Sequence, residues 1–142
     1  DVTLPAEQRN AFRWQGLLAA PVLIVPCCSA LAYVERYAEP DKAGSDLGRD
    51  TSAWSVPYWY VDGGAAVMLL LLAATDAGLG ALFFGQFGHT GAVKDAFAIP
   101  DRYEPLGTIA VGHPAPEPTA GRSAGRPRRA LDEVIHRGSW SD

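Results

Sequence analysis

Few side chains in this sequence are spaced for chemistry of their own. The three histidines, His89, His113 and His136, lie far apart and lack the spacing of metal ligands. No Ser-His-Asp order or nucleophile elbow is readable. Gly78-Leu79-Gly80 with Gly85 imitates a dinucleotide fingerprint, but Phe83 stands where the third glycine belongs. That segment also leaves a helix and opens a strand, the reverse of the required order. Cys27 and Cys28 are adjacent in a strand-like run, so their side chains point to opposite faces and cannot pair with each other. Two clusters remain. Trp54, Tyr58, Trp59 and Tyr60 form either packing or an aromatic wall for a flat ligand. Arg126-Pro127-Arg128-Arg129 is either a solvated tail or a clamp for an anion such as phosphate.

The elements that must position these groups fit one domain. The chain has 142 residues, 48% of them hydrophobic and 20% charged, enough apolar material for a core. Two cysteines exclude a disulfide-rich scaffold. The net charge of −4 argues against a surface made for nucleic acid. It divides unevenly, with 7 basic against 13 acidic groups over residues 1–121 and five arginines against three acids over 122–142. The most hydrophobic run, Gly63 to Thr75, holds no charge and is too short to span a bilayer. With no signal peptide readable, the expected compartment is the cytoplasm, with no membrane partner.

Along the chain, Thr3 caps a helix over about 6–19. Residues 21–28 read as one strand buried on both faces. Ser29 caps a helix running to Ala38. Residues 39–57 form a long irregular loop, expected to line a pocket mouth. Tyr58 to Ala77 reads as a helix that is apolar all round in its middle, the centre of a domain or of an oligomer interface. Gly78-Leu79-Gly80 stops it. Ala81–Phe84 reads as a second buried strand, His89 to Ala98 as a helix and Leu106–Val111 as a third buried strand. Residues 113–130 form an extended arm, followed by a short element over Leu131 to Ile135. The order of elements makes the chain α/β or α+β.

Four stretches, taken together, resemble the C-terminal part of the FMN-dependent nitroreductase family. They are Ala20-Pro-Val-Leu-Ile-Val25, Asp62 to Gly80, Phe97-Ala-Ile-Pro100 with Leu106 to Pro114, and Arg128 to His136 with Trp140. The resemblance implies an α+β fold, a three-layer α/β/α sandwich with a long central dimer-interface helix and an extended C-terminal arm. It implies a homodimer with two FMN molecules at the subunit interface. NADH or NADPH would reduce the flavin, which would then reduce a small electron-poor substrate (a nitro compound, quinone or enone) in ping-pong fashion. The flavin N5 carries that chemistry, so no protein nucleophile or metal is implied.

Residue by residue, Leu82, Phe83, Phe84, Gly85 and Gln86 match the family segment lying along the flavin edge. Arg126 and Arg128 match the basic pair that holds the FMN phosphate, and Tyr58 and Trp59 are candidates for the substrate side. The family's usual N-terminal helix, with its Arg-x-Ser-x-Arg-like site, has no counterpart in residues 1–142, which read as a single domain lacking that segment. The alternative expectation is a non-catalytic or split flavoprotein subunit that needs another chain to complete the FMN site.

Overall fold

A computed structural model describes residues 5–12, 14–115 and 125–140. The expected first helix is two: α1, Ala6–Ala11, and α2, Gln15–Ala19. The cause is a side chain placed to cap. The Gln15 amide donates to the carbonyls of Arg9 at 2.8 Å and Phe12 at 2.6 Å, closing α1 before α2 begins. Thr3, expected as the N-cap, lies outside the described residues.

The single strand expected over 21–28 is also two: β1, Val22–Ile24, and β2, Cys27–Cys28. β1 pairs antiparallel with β5, Thr108–Gly112, and β2 with β4, Glu104–Pro105. Ile24 faces Ile109 and Cys27 faces Pro105, so two residues on one strand oppose three on the other. The two ladders are therefore one ribbon interrupted by a bulge at Leu106-Gly107-Thr108. Pro26 has no N–H for the ladder, but its carbonyl accepts the Leu106 N–H at 2.9 Å.

β5 is the centre of a three-stranded antiparallel sheet, flanked by β1 and by β3, Gly80–Phe84. Ile109 and Ala110 point to opposite faces and both are buried, so both faces of β5 are covered. The outer strands are not buried as the sequence led us to expect. Val22 and Leu23 of β1 are 49% and 53% exposed, and Leu82 and Phe83 of β3 are exposed too. An unbroken apolar run cannot distinguish an edge strand awaiting a cover from a central one.

α3, Ala30–Tyr37, starts where expected, with the Ser29 Oγ accepting the Ala32 N–H at 3.3 Å. Three short 3-10 turns then carry the chain through Pro40–Lys42, Asp46–Gly48 and Thr51–Ala53. α4, Tyr58–Asp76, is the longest helix described. It ends on Gly78 at φ 70°, with the Leu79 N–H returning to the Ala74 carbonyl at 2.8 Å. Val67 and Ala74, seven residues apart, are buried on its sheet-facing stripe. On that same stripe, a Cβ at Gly63 would lie 2.5 Å from the Leu106 Cδ1. Met68, Leu69 and Leu72 face outward, with Leu69 67% exposed. Thus α4 is covered on one side only. By length and composition alone it could cross a membrane, but here it lies along β3 and β5. α5, Thr90–Phe97, follows β3 and closes on Ala98 in the left-handed region.

Candidate functional site

Helical spacing builds an aromatic cleft from two directions. Tyr33 and Tyr37 lie one turn apart on α3, and Tyr58 and Asp62 one turn apart at the start of α4. Trp54 reaches between them from the loop, with ring centroids 4.8 Å from Tyr37, 5.6 Å from Tyr33 and 6.2 Å from Tyr58. All three contacts are edge-to-face. The Trp54 Nε1–H is held by the Leu47 carbonyl at 2.9 Å, which fixes the indole. The loop is in turn seated on α3, where the Cβ that Gly48 lacks would be 2.6 Å from the backbone of Tyr37 and Ala38. The cleft so formed measures about 260 Å³ and is lined by Tyr33, Tyr37, Leu47, Trp54, Ser55, Tyr58 and Asp62.

Asp62 carries the only charge in that lining. Its Oδ2 accepts the Tyr33 hydroxyl at 2.5 Å. That bond, with burial and the Asp62 charge adding to it, pushes the Tyr33 phenol up to about 12. Trp59 packs beside the cleft, 6.2 Å from Tyr33 and 6.0 Å from Trp54, and does not line it. Of the two residues expected on the substrate side, Tyr58 lines the cleft and Trp59 buttresses it. Sequence reasoning missed Tyr33, Tyr37 and Asp62. The pairs Tyr33/Tyr37 and Tyr58/Asp62, each four apart on a helix, were the available signal.

The second group gathers at the end of β3. Leu82, Phe83 and Phe84 form the strand, and Gly85 and Gln86 leave it. The Gln86 side chain is turned inward and buried. Its Nε2 donates to the Thr108 Oγ1 at 2.9 Å and to the Gly107 carbonyl at 3.1 Å. Its Oε1 is buried with no hydrogen-bond partner. Gly107 takes φ 150°, and its missing Cβ leaves room for the Phe83 ring and the Phe84 carbonyl. The Gln86 Nε2 is thus spent on the bulge. Next to it, Phe87 has φ 45° and is 89% exposed, with its ring lying against Gly85. Leu106 and Gly107 join the two groups, the first touching the Gly63 turn of α4 and the second held by Gln86.

Arg126 and Arg128 are exposed and make no ion pair among the described residues. No hydrogen bond there joins them to β3 or to the cleft. Residues 116–124 of the expected arm lie outside the described residues, and the final element is a 3-10 turn, Leu131–Glu133. Among the described residues no group of three or more His, Cys, Asp or Glu could hold a metal ion. Cys27 is exposed and Cys28 buried, both as free thiols, as opposite faces of a strand require.

The chain is similar to several known proteins. A relative from Methanothermobacter thermautotrophicus, provisionally named NADH dehydrogenase/NAD(P)H nitroreductase, is 29% identical over 103 residues. The match takes in 70% of this chain and 43% of that protein, so the chain spans less than half the relative's length. Among solved structures, NfrA2 of B. megaterium superposes with a TM-score of 0.50 at 16% identity, over 99% of this chain and 69% of that one. A structure from Parabacteroides distasonis, also provisionally named NADH dehydrogenase/NAD(P)H nitroreductase, gives 0.49 at 22% identity over 99% and 90% of the two chains. The sequence pattern of the Nitroreductase family matches residues 2–113, which hold the sheet, α4, the cleft and the β3–Gln86 turn. With an α+β fold built on that same stretch, this chain belongs to the nitroreductase family.

Proposed function

We propose that the chain forms part of an FMN-dependent oxidoreductase, which takes hydride from NADH or NADPH and passes it to a small electron-poor substrate in ping-pong order. The family match over residues 2–113 carries this reading. When bound, the flavin supplies the hydride-accepting and hydride-donating chemistry. The residues present fit part of such a group. Gly85, which has no Cβ and lies against the exposed Phe87 ring, and the backbone of Gln86 would form the flavin edge at the end of β3, held in place by the Gln86 bonds to Gly107 and Thr108. Leu82, Phe83 and Phe84 would lead to that edge. Arg126 and Arg128, free of ion pairs among the described residues, would hold the phosphate. Tyr58 and Trp59 would border the substrate, with Tyr58 facing the cleft.

A second copy of the chain would cover the outward face of α4, where Met68, Leu69 and Leu72 stand exposed. A second reading is a split or non-catalytic subunit that needs another chain to complete the FMN site. Both are tested by supplying the purified chain with excess FMN, desalting it and scanning the visible spectrum. Retained flavin bands that bleach with NADH or NADPH support the oxidoreductase. Flavin retained only after another chain is added supports the split subunit, and no flavin under either condition overturns both.

A further inference from the structure

We propose that the aromatic cleft between α3 and α4 is a binding site for a small organic cation, a quaternary or alkylated ammonium group. Tyr58 of this cleft is the residue read above as bordering the substrate, so the inference names a ligand class for that side of the site, while its test needs no flavin and can fail apart from that reading. Its walls are the rings of Tyr33, Tyr37, Trp54 and Tyr58, and its one charge is the Asp62 carboxylate. Aromatic faces attract cations through the ring quadrupole, and a carboxylate beside them adds a full negative charge.

Three further observations separate a cation from other ligands. Two of the ring donors are already spent, the Tyr33 hydroxyl on Asp62 and the Trp54 Nε1–H on Leu47, and no cationic side chain lines the cleft to greet an anion. Asp62 uses only Oδ2 for Tyr33, leaving Oδ1 without a partner among the described residues. Lastly, the fold already sets a cation on one of these rings, with the Lys42 ammonium 5.3 Å from the Tyr37 centroid. The volume of about 260 Å³ selects for size. It falls below the roughly 300–1,000 Å³ of sites that take drug-sized ligands, so the occupant is small.

The test uses choline and its uncharged isostere 3,3-dimethylbutan-1-ol, each titrated into the chain at constant ionic strength. Tryptophan fluorescence is read, and Trp54→Phe identifies the reporter. Choline is expected to give a saturable change that the isostere matches only at about tenfold higher concentration, as a cation–π site with a carboxylate predicts. Asp62→Asn keeps an oxygen for the Tyr33 hydroxyl and is expected to remove most of that preference. Tyr37→Leu, which leaves Asp62 in place, is expected to weaken choline binding with far-UV circular dichroism unchanged. Equal binding of choline and the alcohol overturns the proposal, as does a choline preference that survives Asp62→Asn. Absence of any saturable response to choline overturns it as well.

Discussion

Gly107→Ala should be among the most damaging single-methyl changes in this chain. At φ 150° an alanine is strained before any neighbour is considered, at a cost of about 1–3 kcal/mol. The added Cβ would stand 2.6 Å from the Phe84 carbonyl oxygen and 2.6 Å from the Phe83 Cε2. The ring can turn aside, but the carbonyl is fixed, because Phe84 pairs with Thr108 in the β3–β5 ladder. Overpacking of this kind costs about 1–3 kcal/mol more. The sum, about 2–6 kcal/mol, is a large share of the roughly 5–15 kcal/mol that holds a typical domain together. Gly64→Ala is the internal control. Nothing lies within 4 Å of its Cβ position in α4, so removing a helical glycine should stabilise by about 0.5–1 kcal/mol. Urea unfolding followed by tryptophan fluorescence and far-UV circular dichroism measures both. A Gly107→Ala midpoint equal to the parent's would refute the bulge geometry and the position of Gln86 that depends on it.

The cleft makes a prediction about pH. The Tyr33 phenol, raised to about 12 by its bond to Asp62, should ionise well above the ordinary phenol value of about 10 in an ultraviolet titration, and Asp62→Asn should bring it down. Since the folded value lies above the unfolded value of about 10, the Tyr33–Asp62 bond stabilises fully below pH about 10 and is lost as pH rises toward 12. The thiols make another. Burial raises both above their ordinary value, but only Cys27 is exposed. A thiol reagent should therefore label one cysteine per native chain, slowly at neutral pH and faster above pH 9, with the second reacting only in denaturant. Rapid labelling of both under native conditions would contradict the strand geometry.

Where local chemistry decides structure, the sequence was readable. Ser29 caps α3, Gly78 ends α4, and Ile99-Pro100 follows the end of α5, all through interactions within a few residues. What failed to show was decided at a distance. The break between α1 and α2 depends on where one glutamine amide reaches, and the break between β1 and β2 on a bulge in a strand more than 80 positions away. The exposure of Leu23 and Leu82 follows from which strand lies at the sheet edge, which hydrophobicity does not encode. The same distance hid part of the site. The aromatic cluster at Trp54–Tyr60 stood out by composition, but its completion by Tyr33, Tyr37 and Asp62 required knowing that Tyr33 of α3 meets Asp62 and Trp59 of α4. Gln86 was singled out by resemblance alone, and the bonds that turn its side chain into the fold, to Gly107 and Thr108, lie more than 20 positions away.

The ribbon formed by β1–β2 and β4–β5 would pair without interruption if one residue were removed from the longer strand. Its surplus peptide gives no strength to the ladder. What it supplies is an acceptor that no strand partner claims, the Gly107 carbonyl, and the Gln86 amide takes it. The path of the chain as it leaves β3 is thus set by a miscount in a different strand pair. It follows that the length of the 104–112 segment and the identity of residue 86 cannot vary independently. A chain one residue shorter there would leave a buried amide donor without its acceptor, a cost of about 1–3 kcal/mol, unless position 86 lost its amide in the same step. Aligned relatives would reveal this as a paired change between a gap and a side chain, a form of coupling that residue-by-residue comparison does not register.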